Sequence, residues 1–81
     1  VRVCVKLFAA VRDIAGDEKI ELEVSENADV TEIRAAMIAR WPKLEPYAPF
    51  LNFAVNQTYA TAATRVAAAD EIACIPPVSG G

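Results

Sequence analysis

Gly80 and Gly81 end a chain of 81 residues that has only one other glycine. With glycine near 7% of ordinary usage, a terminal pair arises by chance in about 0.5% of chains, so its position is informative. The chemistry such an end offers is that of its carboxylate. An unactivated carboxylate is a poor electrophile, but adenylation by an ATP-using enzyme makes a mixed anhydride that a nucleophile attacks. Attack by sulfur leaves a thiocarboxylate, –C(O)S⁻, itself a transferable sulfur nucleophile. Attack by a lysine amine leaves an amide and tags a protein. Either way the carrier brings the reacting atom and its partners bring the catalysis.

The residues ahead of the pair suit a tip that enters a narrow channel. Pro76 and Pro77 fix φ and hold the chain extended. Val78 and Ser79 add little bulk, and glycine lets surrounding walls approach the backbone closely. Other chemistry is scarce. The chain has no histidine, which excludes histidine acid–base catalysis and a zinc site of ordinary type. Cys4 and Cys74 each sit in a strand-like run and read as small buried hydrophobes rather than a disulfide staple or metal ligands.

Something must hold that tip in place. The length permits one domain, whose core is too small to enclose a deep active-site cavity. A 54% hydrophobic, 23% charged composition is that of a globular chain. A net charge of −3 with eight scattered basic residues argues against a nucleic-acid groove. No apolar run approaches the roughly 20 residues of a membrane span, and no basic-then-apolar leader precedes the first strand-like segment. The cytoplasm is the expected location.

Val1, Val3, Val5 and Leu7 alternate with Arg2, Cys4, Lys6 and Phe8, the period of a half-buried strand. A helical turn follows at residues 9–15, closed by Gly16 in the left-handed region. Lys19 to Val24 alternates again, so these two strands form a hairpin-like pair around the insert. Asp29 and Glu32 have the spacing of a capping box. Val30, Ile33, Met37, Ile38 and Trp41 then form one helical apolar stripe, which Pro42 ends. A proline-punctuated connection runs to Phe50. Leu51, Phe53 and Val55 mark a third strand turning at Asn56-Gln57-Thr58. A short edge strand is expected within 59–64, and Glu71 to Ile75 forms the last strand.

A single amphipathic helix must bury its stripe against a sheet. The expected fold is therefore α+β: a β-grasp, ubiquitin-like roll, with a mixed sheet of four to five strands packed on one main helix. Residues 1–77 form the domain and 78–81 a flexible tail. In this fold the first and last strands lie parallel and adjacent, so the tail leaves from the middle of the sheet. Alternation puts Phe8 and Ile75 on the outer face, where they form an apolar contact patch near the tail. The same alternation puts Cys4 outside and Cys74 inside, so they do not bridge.

The stretches VKLFAAVRDIAG (5–16), AVNQTY (54–59) and DEIACIPPVSGG (70–81) resemble the small subunit of molybdopterin synthase, the sulfur carrier of molybdenum-cofactor biosynthesis. With the helix between them they cover nearly the whole chain. The resemblance implies a heterotetramer of two small and two large subunits, and no bound cofactor or metal. It implies no catalysis by the chain alone. It further implies that an activating enzyme related to ubiquitin activators uses ATP and magnesium to adenylate Gly81, and that the thiocarboxylate then enters the large subunit and supplies sulfur to cyclic pyranopterin monophosphate, making the dithiolene that holds molybdenum. By the same resemblance Gly80, Ser79 and Val78 thread the tail, and Phe8, Tyr59, Ile75, Pro76 and Pro77 contact the partner. Arg12 and Asp13 read more readily as solvated than as rim contacts. Members often carry glycine where this chain has Ala67-Ala68-Ala69-Asp70, which leaves that turn open. A sulfur carrier for the thiazole of thiamine, a ubiquitin-like protein modifier, and a plain adaptor are the other readings.

Overall fold

The computed structural model describes residues 1–76. The elements are β1 (Arg2–Leu7), α1 (Ala9–Ala15), β2 (Lys19–Glu23), α2 (Val30–Arg40), a 3-10 helix (Pro42–Phe50), β3 (Asn52–Val55), β4 (Thr58–Tyr59) and β5 (Glu71–Ile75). One sheet runs in the order β2-β1-β5-β3-β4. β1 and β5 pair in parallel, from Cys4↔Glu71 to Leu7↔Cys74. β2 is antiparallel to β1, and β3 to both β5 and β4. This is the mixed sheet of the β-grasp roll, with β5 at its centre.

Alternation decides which face is core. Val3, Val5, Leu7, Ile20, Leu22, Phe53, Ile72 and Cys74 are all buried and meet Val30, Ile33 and Met37 of α2 and Leu44 of the 3-10 helix. Ile38 and Trp41 pack at the edge of this cluster. The helical stripe expected from sequence is thus the one that is buried. Gly16 closes α1 at φ 79, donating its N–H to the Arg12 carbonyl at 2.8 Å, the left-handed stop glycine makes readily.

The N-terminus of α2 corrects the capping-box expectation in one half. The Glu32 N–H donates to Asp29 Oδ1 at 3.0 Å, as a helix cap requires. The Glu32 carboxylate, however, accepts from the Ser25 N–H and the Ser25 hydroxyl, both at 2.6 Å, rather than reaching back to Asp29. The loop at residues 61–66 runs beside this end: Val30 and Thr31 donate their N–H groups to the carbonyls of Thr64 and Ala62. Those carbonyls satisfy orphan donors that a helix start leaves open. The same commitment shortens the edge strand. β4 ends at Tyr59, because the residues that follow turn at Thr61–Thr64 to serve the helix instead.

We expect Asp29→Ala to lower stability by about 1 kcal/mol, measured by urea denaturation at neutral pH. The two Ser25 hydrogen bonds hold the Glu32 carboxyl below its ordinary value of 4.5. A depressed carboxylate contributes stability above its unfolded value and loses it as pH falls through the folded one. The stability gap between the native chain and Glu32→Gln should therefore be constant at neutral pH and narrow as the pH drops below about 4.5. A gap unchanged down to pH values where both chains unfold would show that the Ser25 contacts carry no linkage.

The stretch read as a proline-punctuated connection is a continuous 3-10 helix of nine residues, with Pro46 and Pro49 inside it. Proline's fixed φ suits this geometry, and its missing N–H costs less in a helix so loosely bonded. Asn56 (φ 52) and Gln57 (φ 70) make the two-residue turn between β3 and β4, with both residues left-handed as such a hairpin demands. The Ala67–Asp70 turn closes without glycine. Asp70 donates its N–H to the Ala67 carbonyl at 3.0 Å, and its carboxylate accepts the Ala67 N–H at 2.8 Å. None of its residues has positive φ.

Both cysteines are free, Cys4 half-buried and Cys74 buried. Burial pushes the Cys74 thiol from 9.0 up to about 12. We expect a water-soluble disulfide reagent near neutral pH to titrate one thiol in the native chain and two in denaturant. The raised value also means that stability held below pH 9.0 is lost as the pH climbs toward 12, because the unfolded chain ionises first. Two thiols reacting natively at equal rates would contradict the packing of β5.

Candidate functional site

β5 positions the candidate site, since it is the strand from which the chain leaves the sheet. Pairing rows fix what lies around it. Lys6 is opposite Ala73, Ala73 opposite Ala54, and Ala54 opposite Tyr59. Partners in a row share a face of the sheet, so these four side chains cross its outer surface. Ile75, two residues beyond Ala73, returns to that face and is paired with Asn52. Phe8, one position past the Leu7–Cys74 pair, stands beside Ile75.

The outer face is therefore apolar in its middle. Phe8 is 44% exposed and Tyr59 73% exposed, Ile75 is half-buried, and Ala73 and Ala54 form a low floor between Lys6 and Tyr59. The Lys6 ammonium pairs with the Glu71 carboxylate at 3.1 Å, which neutralises the nearest charges on β1 and β5. Ala9 follows Phe8 at φ 51, a left-handed turn that an alanine adopts only when its surroundings enforce it. The chain bends there, and Phe8 stays on the surface. A hollow of about 280 Å³ opens beside it, lined by Lys6, Leu7, Phe8, Arg12, Glu18 and Lys19. Arg12 thus borders the aromatic, whereas Asp13 does not.

The fold brings Phe8, Tyr59 and Ile75 to one face, as the outward register requires. Pro76 is buried, so the fold itself covers that residue. Pro77, Val78, Ser79, Gly80 and Gly81 lie outside the described residues, as does the 77/78 boundary between domain and tail. One residue at this site escaped the sequence reading. Phe50 is 60% exposed and stands at the end of the 3-10 helix, two positions before Asn52, the partner of Ile75. Phe8 and Phe50 therefore adjoin the ends of β1 and β3, the two strands on either side of β5. The available signal was the three-residue spacing of Leu44, Tyr47 and Phe50, which aligns only on a 3-10 helix.

No helix among the described residues is long and apolar enough to cross a membrane. Among the described residues the geometry is that of an exposed apolar face beside the end of the strand that leads to Pro76.

Comparison with known proteins agrees with this geometry. The chain is 34% identical to the molybdopterin synthase sulfur carrier subunit of Chlamydomonas reinhardtii, over 100% of both chains. It is 31% identical to the subunit of the same name from Arabidopsis thaliana, covering 100% of this chain and 84% of the relative. Among solved structures it superposes on small archaeal modifier protein 1 of Haloferax volcanii with a TM-score of 0.86 and 29% identity, over 100% of both chains. The profile of the ThiS family matches residues 5–81. With its β-grasp sheet, its exposed aromatic face and this match over almost its full length, the chain belongs to the ThiS family.

Proposed function

We propose that this chain is the sulfur carrier subunit of a molybdopterin synthase. The observation that carries the reading is full-length likeness to curated subunits of that name, in a chain that ends in Gly80-Gly81. An adenylating enzyme related to ubiquitin activators binds the tail. A Gly81 carboxylate oxygen then attacks the α-phosphorus of magnesium-bound ATP and expels pyrophosphate. A sulfide-level nucleophile attacks the acyl carbon, AMP leaves, and a thiocarboxylate remains. That sulfur is delivered to cyclic pyranopterin monophosphate on the large subunit, and hydrolysis returns the carboxylate. Two such deliveries complete the dithiolene, which accords with an assembly of two small and two large subunits.

The chain's own contribution is positional. The rigid sheet fixes where the tail starts, and the apolar face supplies docking energy without catalytic groups. Apolar, aromatic surface of this kind is typical of the buried centre of protein interfaces. The test is the intact mass of the chain after incubation with the activating enzyme, ATP, magnesium and a sulfide source, with a Gly81-deleted control. Exchange of one oxygen for sulfur is expected in the full chain alone. Adding large subunit and pyranopterin precursor should then yield molybdopterin. A thiocarboxylated chain that yields none would overturn the assignment to this pathway.

The likeness to small archaeal modifier protein 1 supports a second reading, in which the activated Gly81 forms amides with lysines. Isopeptide-linked Gly81 on cellular proteins, absent when Gly81 is deleted, would favour it.

A further inference from the structure

The 3-10 helix is unusual in length and in what it displays. Runs of this geometry seldom exceed three or four residues, yet this one spans nine and contains three prolines, Pro42, Pro46 and Pro49. Side chains three apart eclipse one another on a 3-10 helix. Leu44, Tyr47 and Phe50 therefore form one row. Leu44 is fully buried, Tyr47 is 37% exposed and Phe50 is 60% exposed, so the row climbs out of the core and ends two residues before Asn52, the partner of Ile75.

From this we propose that Tyr47 and Phe50 form a second docking ridge for the subunit that receives the tail, on the opposite side of β5 from Phe8. The proposal rests on the reading of Gly81 as the reactive end. Gly81 lies only five positions beyond Pro76, and five extended steps span at most about 17 Å. An enzyme that takes Gly81 into a pocket must therefore bring the rim of that pocket close to Pro76. Phe8 follows Leu7, the last β1 residue paired with β5, and Phe50 precedes Asn52, the β3 partner of Ile75, by two residues, so a rim that surrounds the tail passes over the ends of both neighbouring strands.

The chemistry of the rim follows from what faces it. The ridge offers two aromatic surfaces, so its counterpart is an apolar seat at the mouth of the tail channel. Prolines remove freedom that an interface would otherwise have to freeze. Two aromatics on a stiff support are thus already arranged for contact, and anchors of this type carry much of the energy of protein interfaces.

The experiment uses the full chain and the synthase large subunit. Phe50→Ser, Tyr47→Ser and Phe50→Leu are compared with Phe8→Ser and with Lys43→Ser, a change on the same helix outside the row. Affinity is measured by calorimetry, sulfur delivery by single-turnover conversion at saturating carrier, and folding by thermal melting. Phe50→Ser should weaken binding at least tenfold and Tyr47→Ser less, with melting and saturated turnover unchanged. Phe50→Leu should recover most of the loss, and Lys43→Ser should bind normally. Native affinity in Phe50→Ser, alongside weakened Phe8→Ser, would overturn the ridge while leaving the functional reading intact. Conversion of a self-associated chain to monomer by Phe50→Ser, without change in large-subunit affinity, would also overturn it, assigning the ridge to a second copy. A native chain that binds no large subunit would instead remove the functional reading, and the ridge's partner with it.

Discussion

Gly81→Ala is expected to leave the fold and the melting temperature of the chain unchanged while reducing sulfur delivery about 100-fold, the scale of loss that accompanies roughly 1 Å of misplacement at a reacting centre. Among the described residues every buried hydrophobic lies between Val3 and Cys74, so the change falls outside that core. Its effect falls on chemistry performed elsewhere. On the proposed function, the terminal carboxylate oxygen meets the α-phosphorus of ATP in one pocket and the thiocarboxylate sulfur meets a pyranopterin in another. A Cβ two bonds from the acyl carbon narrows the backbone space glycine provides and shifts the attack geometry in both. Mass spectrometry of the thiolated fraction separates the first pocket from the second. Reduced thiolation places the obstruction in the activating enzyme, and normal thiolation with slow conversion places it in the large subunit. Native rates in both steps would show channels wider than a glycine requires and would remove the reason for a thin tip.

Which parts of this molecule are legible in its sequence follows from how local their causes are. β1, β2 and β5 announce themselves because Val3, Val5 and Leu7, Ile20 and Leu22, and Ile72 and Cys74 recur at the period of a strand, and one buried face enforces that register. α2 is equally plain from its stripe and from Asp29. The outward positions of Phe8 and Ile75 come from the same alternation. What is not legible depends on distant partners. Glu32 has the spacing of a capping box, yet its carboxylate goes to the Ser25 N–H and hydroxyl, in a loop seven residues away. β4 stops at Tyr59 because the residues after it turn to serve the Val30 and Thr31 N–H groups. The 3-10 helix hides behind its own prolines, which read as punctuation when no strand or α-helix period is present. Phe50 is invisible as a surface residue until that helix sets its direction. Tyr59 reached the candidate face through family resemblance, and its pairing with Ala54 gives the physical reason.

Phe53→Ala is expected to cost about 3–5 kcal/mol, the usual range for removing a buried aromatic, and so a large share of the stability of a domain whose total lies near 5–15 kcal/mol. Phe53 is 2% exposed and sits at a junction: β3 carries it, Cys74 of β5 is opposite it, and the Arg34 guanidinium of α2 lies 5.8 Å from its ring. Truncation leaves a cavity between sheet and helix that rigid neighbours fill only in part. It also takes away the ring face against which Arg34 rests, and the Arg34 Nε has no hydrogen-bond partner among the described residues. The loss has a functional consequence because β5 is the strand that presents the tail. Weakening its contact with β3 loosens the register Asn52↔Ile75 that sets Phe50 and Phe8 beside the ends of the strands on either side of β5. Urea denaturation gives the stability change, and thiol titration gives its location, since Cys74 should become reactive in Phe53→Ala under conditions where it is protected in the native chain. A loss below about 1 kcal/mol, smaller than any ordinary core truncation to alanine, would mean that the sheet and helix close over the gap and that β5 holds its place without this ring.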